Sequence, residues 1–493
     1  MRPKIGAPMS SPHDELCRLT ATEAVLRLKR REITPLDLID AAVHRIAEVE
    51  PDINALPTLC LDRARAHAER LMRGEGREAE AEPGWLGGLP VAIKDLTDVA
   101  GVRTTYGSPI FRDHVPDRSH PVVERIERRG GIVIAKSNTP EFGAGGSTFN
   151  EVFGRTRNPW NTALTPGGST GGGAAALAAG EIWLAHGSDH AGSLRRPATY
   201  CSVIGLRPSP GRVTRGTSNN LFSPLSVQGP MARNVTDVAL FLDTMAGLCP
   251  RDPLTFDPPH RSFAAAVASP VAPKRVAFTA DFGGKVPVDR ETREICAQAA
   301  RRFEELGCIV EEAAPEFGNI AEAFLALRSQ HFVVERELML ATHRDQIKPD
   351  IIWNTERGLR QSPSELAAAE RERAAFYRRV VEFFESYDLL VSPGASTPAF
   401  DVELRMPASI DGNKLENYLG SSLITAATTM MALPSIAVPC GFDRHGRPVG
   451  LQMVGSHRGE AALLQAAMLF EQMMGLSSLV PIDPRSGAVP PPG

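Results

Sequence analysis

No two of the seven cysteines form a C-x-x-C pair, and the twelve histidines add no metal-type cluster to them. An odd, scattered set fits reduced thiols and gives no sign of a metal or other cofactor. Cys201 and Cys440 read as core packing, the usual fate of a free cysteine. A net charge of −4 spread over 493 residues supplies no general pull on nucleic acid or anionic lipid. The first ten residues contain no apolar targeting segment, and later apolar stretches are broken well short of a membrane span. No internal repeat is present. What remains is 42% apolar and 23% charged, the proportions of an ordinary globular enzyme. The expectation is a cytoplasmic protein, monomer or homodimer, with a small-molecule substrate and neither nucleic acid nor membrane as partner.

Helix and strand signals alternate along the chain, an α/β pattern. Residues 1–14 read as a disordered N-terminus. Thr20-Ala-Thr-Glu23 is a capping box opening a helix to about Arg31, and Thr34-Pro35 starts a second to about Val49. These form a helical cover over 15–72. The charged, Gly-rich residues 73–87 read as a surface loop. A core over 85–248 and 388–475 follows, with strands expected at Leu89–Ile93, 131–136, 182–185, 275–278, 308–310, 388–391, up to Cys440, and 449–454. Residues 318–386 form a helical region with periodic Phe324, Leu327, Phe332 and Phe376, expected to wall a pocket. Another helix is expected over 414–430, and a Pro-rich, disordered tail over 481–493.

Three stretches carry chemistry. Lys94 ends the apolar run of Gly88-Leu-Pro-Val-Ala-Ile-Lys-Asp95, where desolvation favours the neutral amine and makes it a proton acceptor. Ser169 lies in Pro166-Gly-Gly-Ser-Thr-Gly-Gly172, and Ser193 in Gly187-Ser-Asp-His-Ala-Gly-Ser-Leu-Arg-Arg-Pro197. Their glycines permit backbone conformations a Cβ forbids and can aim N–H groups at an oxyanion. Nucleophile, relay and base together are the chemistry of acyl transfer. Each residue also has an ordinary reading. Ser193 can be a helix N-cap or loop serine, and Lys94 a lysine that snorkels to water. Gly167-Gly-Ser-Thr-Gly171 also satisfies the nucleophile elbow of α/β-hydrolases, with Ser169 attacking as an esterase, but Asn158 to Pro166 is irregular where an elbow needs a strand.

The spacing of the three, 75 residues from Lys94 to Ser169 and 24 more to Ser193, resembles the amidase signature family. Further stretches fall in that family's order: Gly154-Arg-Thr-Arg-Asn-Pro-Trp-Asn161, Gly205-Leu-Arg-Pro-Ser-Pro-Gly-Arg-Val213, Gln228-Gly-Pro-Met-Ala-Arg233, Ala432 to Cys440, and Gly446 to Gly455. The resemblance covers about residues 15–475 and implies a single α/β domain with a mixed, mostly parallel central β-sheet covered by helices on both faces. It implies a cis peptide between Gly168 and Ser169, a Ser193 acyl-enzyme served by a Ser169–Lys94 relay, and an oxyanion hole of backbone N–H groups from His190, Ala191, Gly192 and Ser193. Thr170 would hold Lys94. Asp189 and Arg195 would brace the loop, since buried charges persist when paired.

His190 and Ala191 depart from the family pattern. His190 reads as a loop histidine bonded to backbone, or as a substrate contact or auxiliary base. Ala191 would be strained if its position needs positive φ. Arg196 is left open. Gln228 reads as a turn residue with pocket access, and Phe222 and Trp353 as pocket residues favouring uncharged aryl or alkyl groups. Amides, anilides, esters and carbamates (urethanes) would all fit. The other readings are the glutaminase subunit of an amidotransferase complex and an inactive binding protein on the same fold.

Overall fold

The computed structural model describes residues 12–216 and 218–487. Eleven strands form one sheet: β1 Thr58–Leu59, β2 Pro90–Lys94, β3 Ile132–Ser137, β4 Leu184–Asp189, β5 Ile204–Arg207, β6 Val227–Ala232, β7 Arg275–Phe278, β8 Ile309–Glu312, β9 Leu389–Pro393, β10 Ser435–Phe442 and β11 Pro448–Val454. Their order across the sheet is β1-β3-β2-β4-β6-β5-β10-β11-β9-β7-β8. The sheet is mixed. Parallel neighbours are grouped in two flanking blocks, β3-β2-β4 and β9-β7-β8. The strands between those blocks pair antiparallel. β5 and β6, which escape the sequence pattern, lie in that centre. Gly205, Gly229 and Pro230 interrupt their apolar periodicity.

Helices flank this sheet. Helix Gly171–Ala179 is built only of Gly, Ala and one Leu, and every residue in it is buried. Small side chains let it approach its neighbours closely: a Cβ on Gly172 would lie 2.4 Å from Asn138 N and 2.6 Å from Ala55 O. The two N-terminal capping boxes form as read, at helices Ala21–Lys29 and Pro35–Ile53. Asp237 fastens the first of them, accepting from the Ala21 and Thr22 N–H groups at 2.8 Å each.

The helical wall is three helices, Ile320–His343, Pro349–Arg360 and Pro363–Phe383, the last two each opened by a proline at the first position. Phe324, Leu327 and Phe376 pack together in its core, while Phe332 joins Ile347 and Ile351 beside Ala144.

Three expectations are corrected. The 414–430 helix begins only at Leu423; before it Ser409–Ile410 and Asn413–Lys414 pair as a hairpin through Asp411-Gly412, both at positive φ. At the N-terminus, residues 1–11 lie outside the described residues, but 12–14 are not disordered: they open helix Pro12–Arg18, whose Cys17 is buried and donates to Ala41 O. Of the tail, 488–493 lie outside the described residues, and 481–485 are tied down. Arg45 holds Ile482 O and Asp483, and Arg485 N–H donates to Pro159 O.

Because Gly172 follows Ser169 by one turn, Gly172→Ala should destabilise the protein by about 1–3 kcal/mol through overpacking and lower activity as well. Chemical denaturation beside a turnover assay reads both.

Candidate active site

Lys94 is the last residue of β2 and is fully buried. Its Nζ lies 2.7 Å from Ser169 Oγ and donates to Thr170 Oγ1 at 2.9 Å and Ser188 Oγ at 3.1 Å. Burial lowers its pKa to about 7, against a smaller raising pull from Asp189. The amine is therefore neutral above that pH, with oxygen partners instead of water. Thr170 takes the holding role expected of it. Ser188 was not anticipated; it precedes Asp189 on β4, and a serine beside a motif carries no signal of its own.

The Gly168–Ser169 peptide is cis. Thr148 Oγ1 donates to Gly167 O at 2.7 Å, and a Cβ on Gly168 would lie 2.9 Å from Gly145 O, so only glycine fits. The Ser193 loop runs from the end of β4 into helix Arg195–Cys201. Thr170 N–H donates to Ser193 O at 3.2 Å, which fixes the two serine loops side by side. Ser169 and Ser193 both open into one cleft of about 770 Å³, and Ser188, His190 and Gln228 line it too.

Asp189 organises the Ser193 loop. Its carboxylate accepts from the Gly192 and Leu194 N–H groups at 2.9 and 3.0 Å, from Arg195 Nε and Nη2 at 3.0 and 2.9 Å, and from Arg207 Nη1 at 3.3 Å. Burial alone would raise its pKa, but Arg195 and Arg207 outweigh that and hold it well below the carboxylate range. The Arg195 brace is as read, and Arg207 of β5 is its unforeseen second half. Arg196 is buried elsewhere, donating to Ser421 O and Ser422 Oγ.

Four readings change. Gly192 N–H is committed to Asp189, so it is not available to an oxyanion. Gly192, not Ala191, takes the positive φ of 102°, so Ala191 is unstrained. His190 bonds a side chain, with Nδ1 2.6 Å from Ser226 Oγ, and packs against Phe324 and His331. Burial, then Arg328 and His331, hold it neutral far below the usual range. Gln228 is a cleft residue but sits in strand β6, not a turn.

The two residues that suggested an uncharged substrate are not in the cleft. Phe222 is 78% exposed, and Trp353 packs against Tyr418 within the helical wall. Apolarity singles both out in the sequence, but which face of a loop or helix they occupy is a tertiary property. The elbow reading also falls: no strand directly precedes Ser169, and the group beside its hydroxyl is Lys94, not histidine. Among the described residues no cluster of His, Cys, Asp or Glu could hold a metal ion, and no helix is long and apolar enough to cross a membrane.

A family model described as Amidase matches residues 37–464. The chain belongs to the amidase signature family. It is similar to an acylamidase of Rhodococcus erythropolis, 34% identical over 467 residues that cover 94% of this chain and 97% of the relative. It is as similar, 34% over 476 residues, to the amidase-like component of the glutamyl-tRNA(Gln) amidotransferase of a Synechococcus strain, covering 90% of this chain and 94% of that one. Among solved structures, a bacterial aryl acylamidase of the amidase signature family superposes with a TM-score of 0.86 at 27% identity, over 94% of this chain and 97% of that one.

Removing the charge at the centre of this loop should be costly. Asp189→Asn leaves two buried guanidinium groups without a counter-charge and should lower stability by about 3–5 kcal/mol, measured by urea denaturation.

Proposed function

We propose that this amidase signature enzyme hydrolyses carbon–nitrogen bonds of small amides through an acyl-enzyme on Ser193. In this reading neutral Lys94 takes the proton of Ser169, Ser169 takes that of Ser193, and Ser193 Oγ attacks the amide carbonyl. The negative charge on the carbonyl oxygen is met by backbone N–H groups of the His190–Ser193 loop other than that of Gly192. The amine leaves with the proton returned along the relay. Water then enters by the same route and releases the acid. Thr170 and Ser188 position Lys94, while Asp189 and Arg195 position the Ser193 loop.

The observation that carries this reading is the dry, oxygen-lined site of Lys94, 2.7 Å from Ser169, with its pKa brought to about 7. A lysine so placed is matched to proton transfer near neutral pH. Anilides, esters and carbamates share the same acyl-enzyme route. A component of an amidotransferase complex is the second reading, since a relative of that kind is as similar as the acylamidase. Turnover of amides by the purified chain alone favours the hydrolase; ammonia release from glutamine only with added partner subunits favours the other.

Ser193→Ala should abolish labelling by a fluorophosphonate probe and cut kcat/KM at least about a thousandfold with the fold intact. Labelling that persists in Ser193→Ala and disappears in Ser169→Ala would reassign the nucleophile.

The sign of the pH effect follows from the depressed Lys94 pKa. Below about pH 7 the ammonium form cannot accept a proton, so kcat/KM should fall on the acid side of about 7 and level off above it. Lys94→Ala should lose the limb along with at least about a hundredfold in rate. His190→Ala should keep the limb, because His190 is already neutral there. A pH–rate series on one aryl amide separates these outcomes.

A further inference from the structure

Helix Ile320–His343 brings Phe324, Arg328, His331 and Glu335 onto one face at spacings of four, three and four residues. Phe324 and His331 both pack against His190 of the Ser193 loop, so that face abuts the nucleophile. Arg328 lies between them and lines the cleft while only 5% exposed. Its Nη2 donates to Tyr418 Oη at 2.6 Å, and Asn354 Nδ2 donates to the same oxygen at 2.9 Å, which pins one end of the fork. The guanidinium lies 4.8 Å from the centre of the Phe332 ring. Its Nε is buried without a partner, and among the described residues no carboxylate lies within ion-pair distance.

Two more guanidinium groups line the same cleft. Arg336 rests 4.3 Å from the centre of the Phe142 ring and donates to the backbone oxygen of Glu335, with no carboxylate among the described residues in ion-pair reach. Arg215 donates to Asn220 O, Ser223 O and Ser218 Oγ. The one acid on this face, Glu335, is engaged by Ser218 Oγ at 2.8 Å and Asn220 N–H at 3.3 Å, organising the loop that carries Arg215. His331 adds no charge: burial, then Arg215, Arg328 and Arg336, hold it neutral. The acids Asp98 and Asp117 line the cleft too, but Asp98 accepts from Tyr106 Oη at 2.6 Å and Asp117 is exposed.

A buried cation with no counter-charge is costly, and a planar fork with free N–H groups is shaped for a carboxylate. We infer that Arg328, with Arg336 and Arg215 beside it, forms an anion subsite that binds a carboxylate on the substrate, at a position remote from the scissile amide. Leu96, Phe142, Phe332 and Met339 line the same cleft and accommodate the aryl or alkyl body that separates the two groups. The substrate class is then carboxylate-bearing amides, not uncharged ones. This rests on the Ser193 acyl-enzyme reading and adds to it which amides are preferred.

The test uses matched pairs hydrolysed by the purified full chain: ω-carboxyacyl p-nitroanilides against their methyl esters, and N-acyl 4-aminobenzoates against theirs. In at least one pair the free carboxylate should have kcat/KM at least about tenfold higher. Arg328→Met should bring that ratio to about one, and Arg328→Lys should restore part of it, because a single ammonium replaces a fork. Since Arg328 is buried, a measurement on the unaltered protein stands beside the variants: 4-phenylbutyrate should inhibit competitively at least about tenfold better than 4-phenylbutanol. Ratios at or below one in both pairs, with no preference for the carboxylate inhibitor, overturn the subsite while fluorophosphonate labelling of Ser193 shows the nucleophile sound. A folded Arg328→Met that keeps the ratio also overturns it. Absence of both labelling and turnover overturns the acyl-enzyme reading itself, and the subsite with it.

Discussion

The molecule depends on keeping one amine out of water. Lys94 ends an apolar strand at the base of the cleft, and its Nζ is surrounded by Ser169, Thr170 and Ser188 oxygens in place of solvent. Desolvation disfavours the ammonium form, and the nearest acid able to restore it is Asp189. That acid is occupied by two arginines. The charge balance around the site is therefore divided: Asp189 with Arg195 and Arg207 forms a closed, ionised brace, and Lys94 is left to oxygens that hydrogen-bond without forcing it to stay protonated. The close-packed glycines serve the same end. A Cβ at Gly187 would reach within 2.6 Å of Thr170 Cγ2, so the strand carrying Ser188 can press on the Ser169 loop only as glycine.

The fold separates chemistry from recognition. Strands β2 and β4 and the loops after them place the reacting groups, on backbone held by ladder hydrogen bonds and by the Asp189 brace. The helical wall is an added layer whose inward face decides what else the cleft will touch. On that face guanidinium and imidazole groups sit among aromatic rings, so an elongated substrate meets an apolar passage with cationic groups beside it.

Much of the site is legible in the sequence because its residues are local and chemically unusual. A lysine closing a buried strand and two serines in Gly-rich loops at fixed separations are hard to explain by packing. The supporting groups are legible only in part. Asp189 and Arg195 lie six residues apart and can be paired on paper, whereas Arg207 reaches them across the sheet from β5. Periodicity draws attention to the apolar residues of the wall and hides its functional ones: Arg328 and His331 look like ordinary solvent-facing positions until the helix is docked. Phe222 and Trp353 mislead for the converse reason, being apolar residues whose loop or helix turns them away. The hairpin at 409–414 is hidden because Asp411-Gly412 sits beside a segment that reads as helix.

The central claim is that Lys94 is neutral at the pH where the enzyme works. Selective 13Cε labelling of lysine followed by an NMR pH titration reads this directly, with Lys94→Met identifying the resonance. The account predicts a midpoint near 7 for Lys94, well below the roughly 10.4 of an unperturbed lysine. A Lys94 resonance that titrates near that ordinary value would show an ammonium group throughout the neutral range, and would contradict its role as the base.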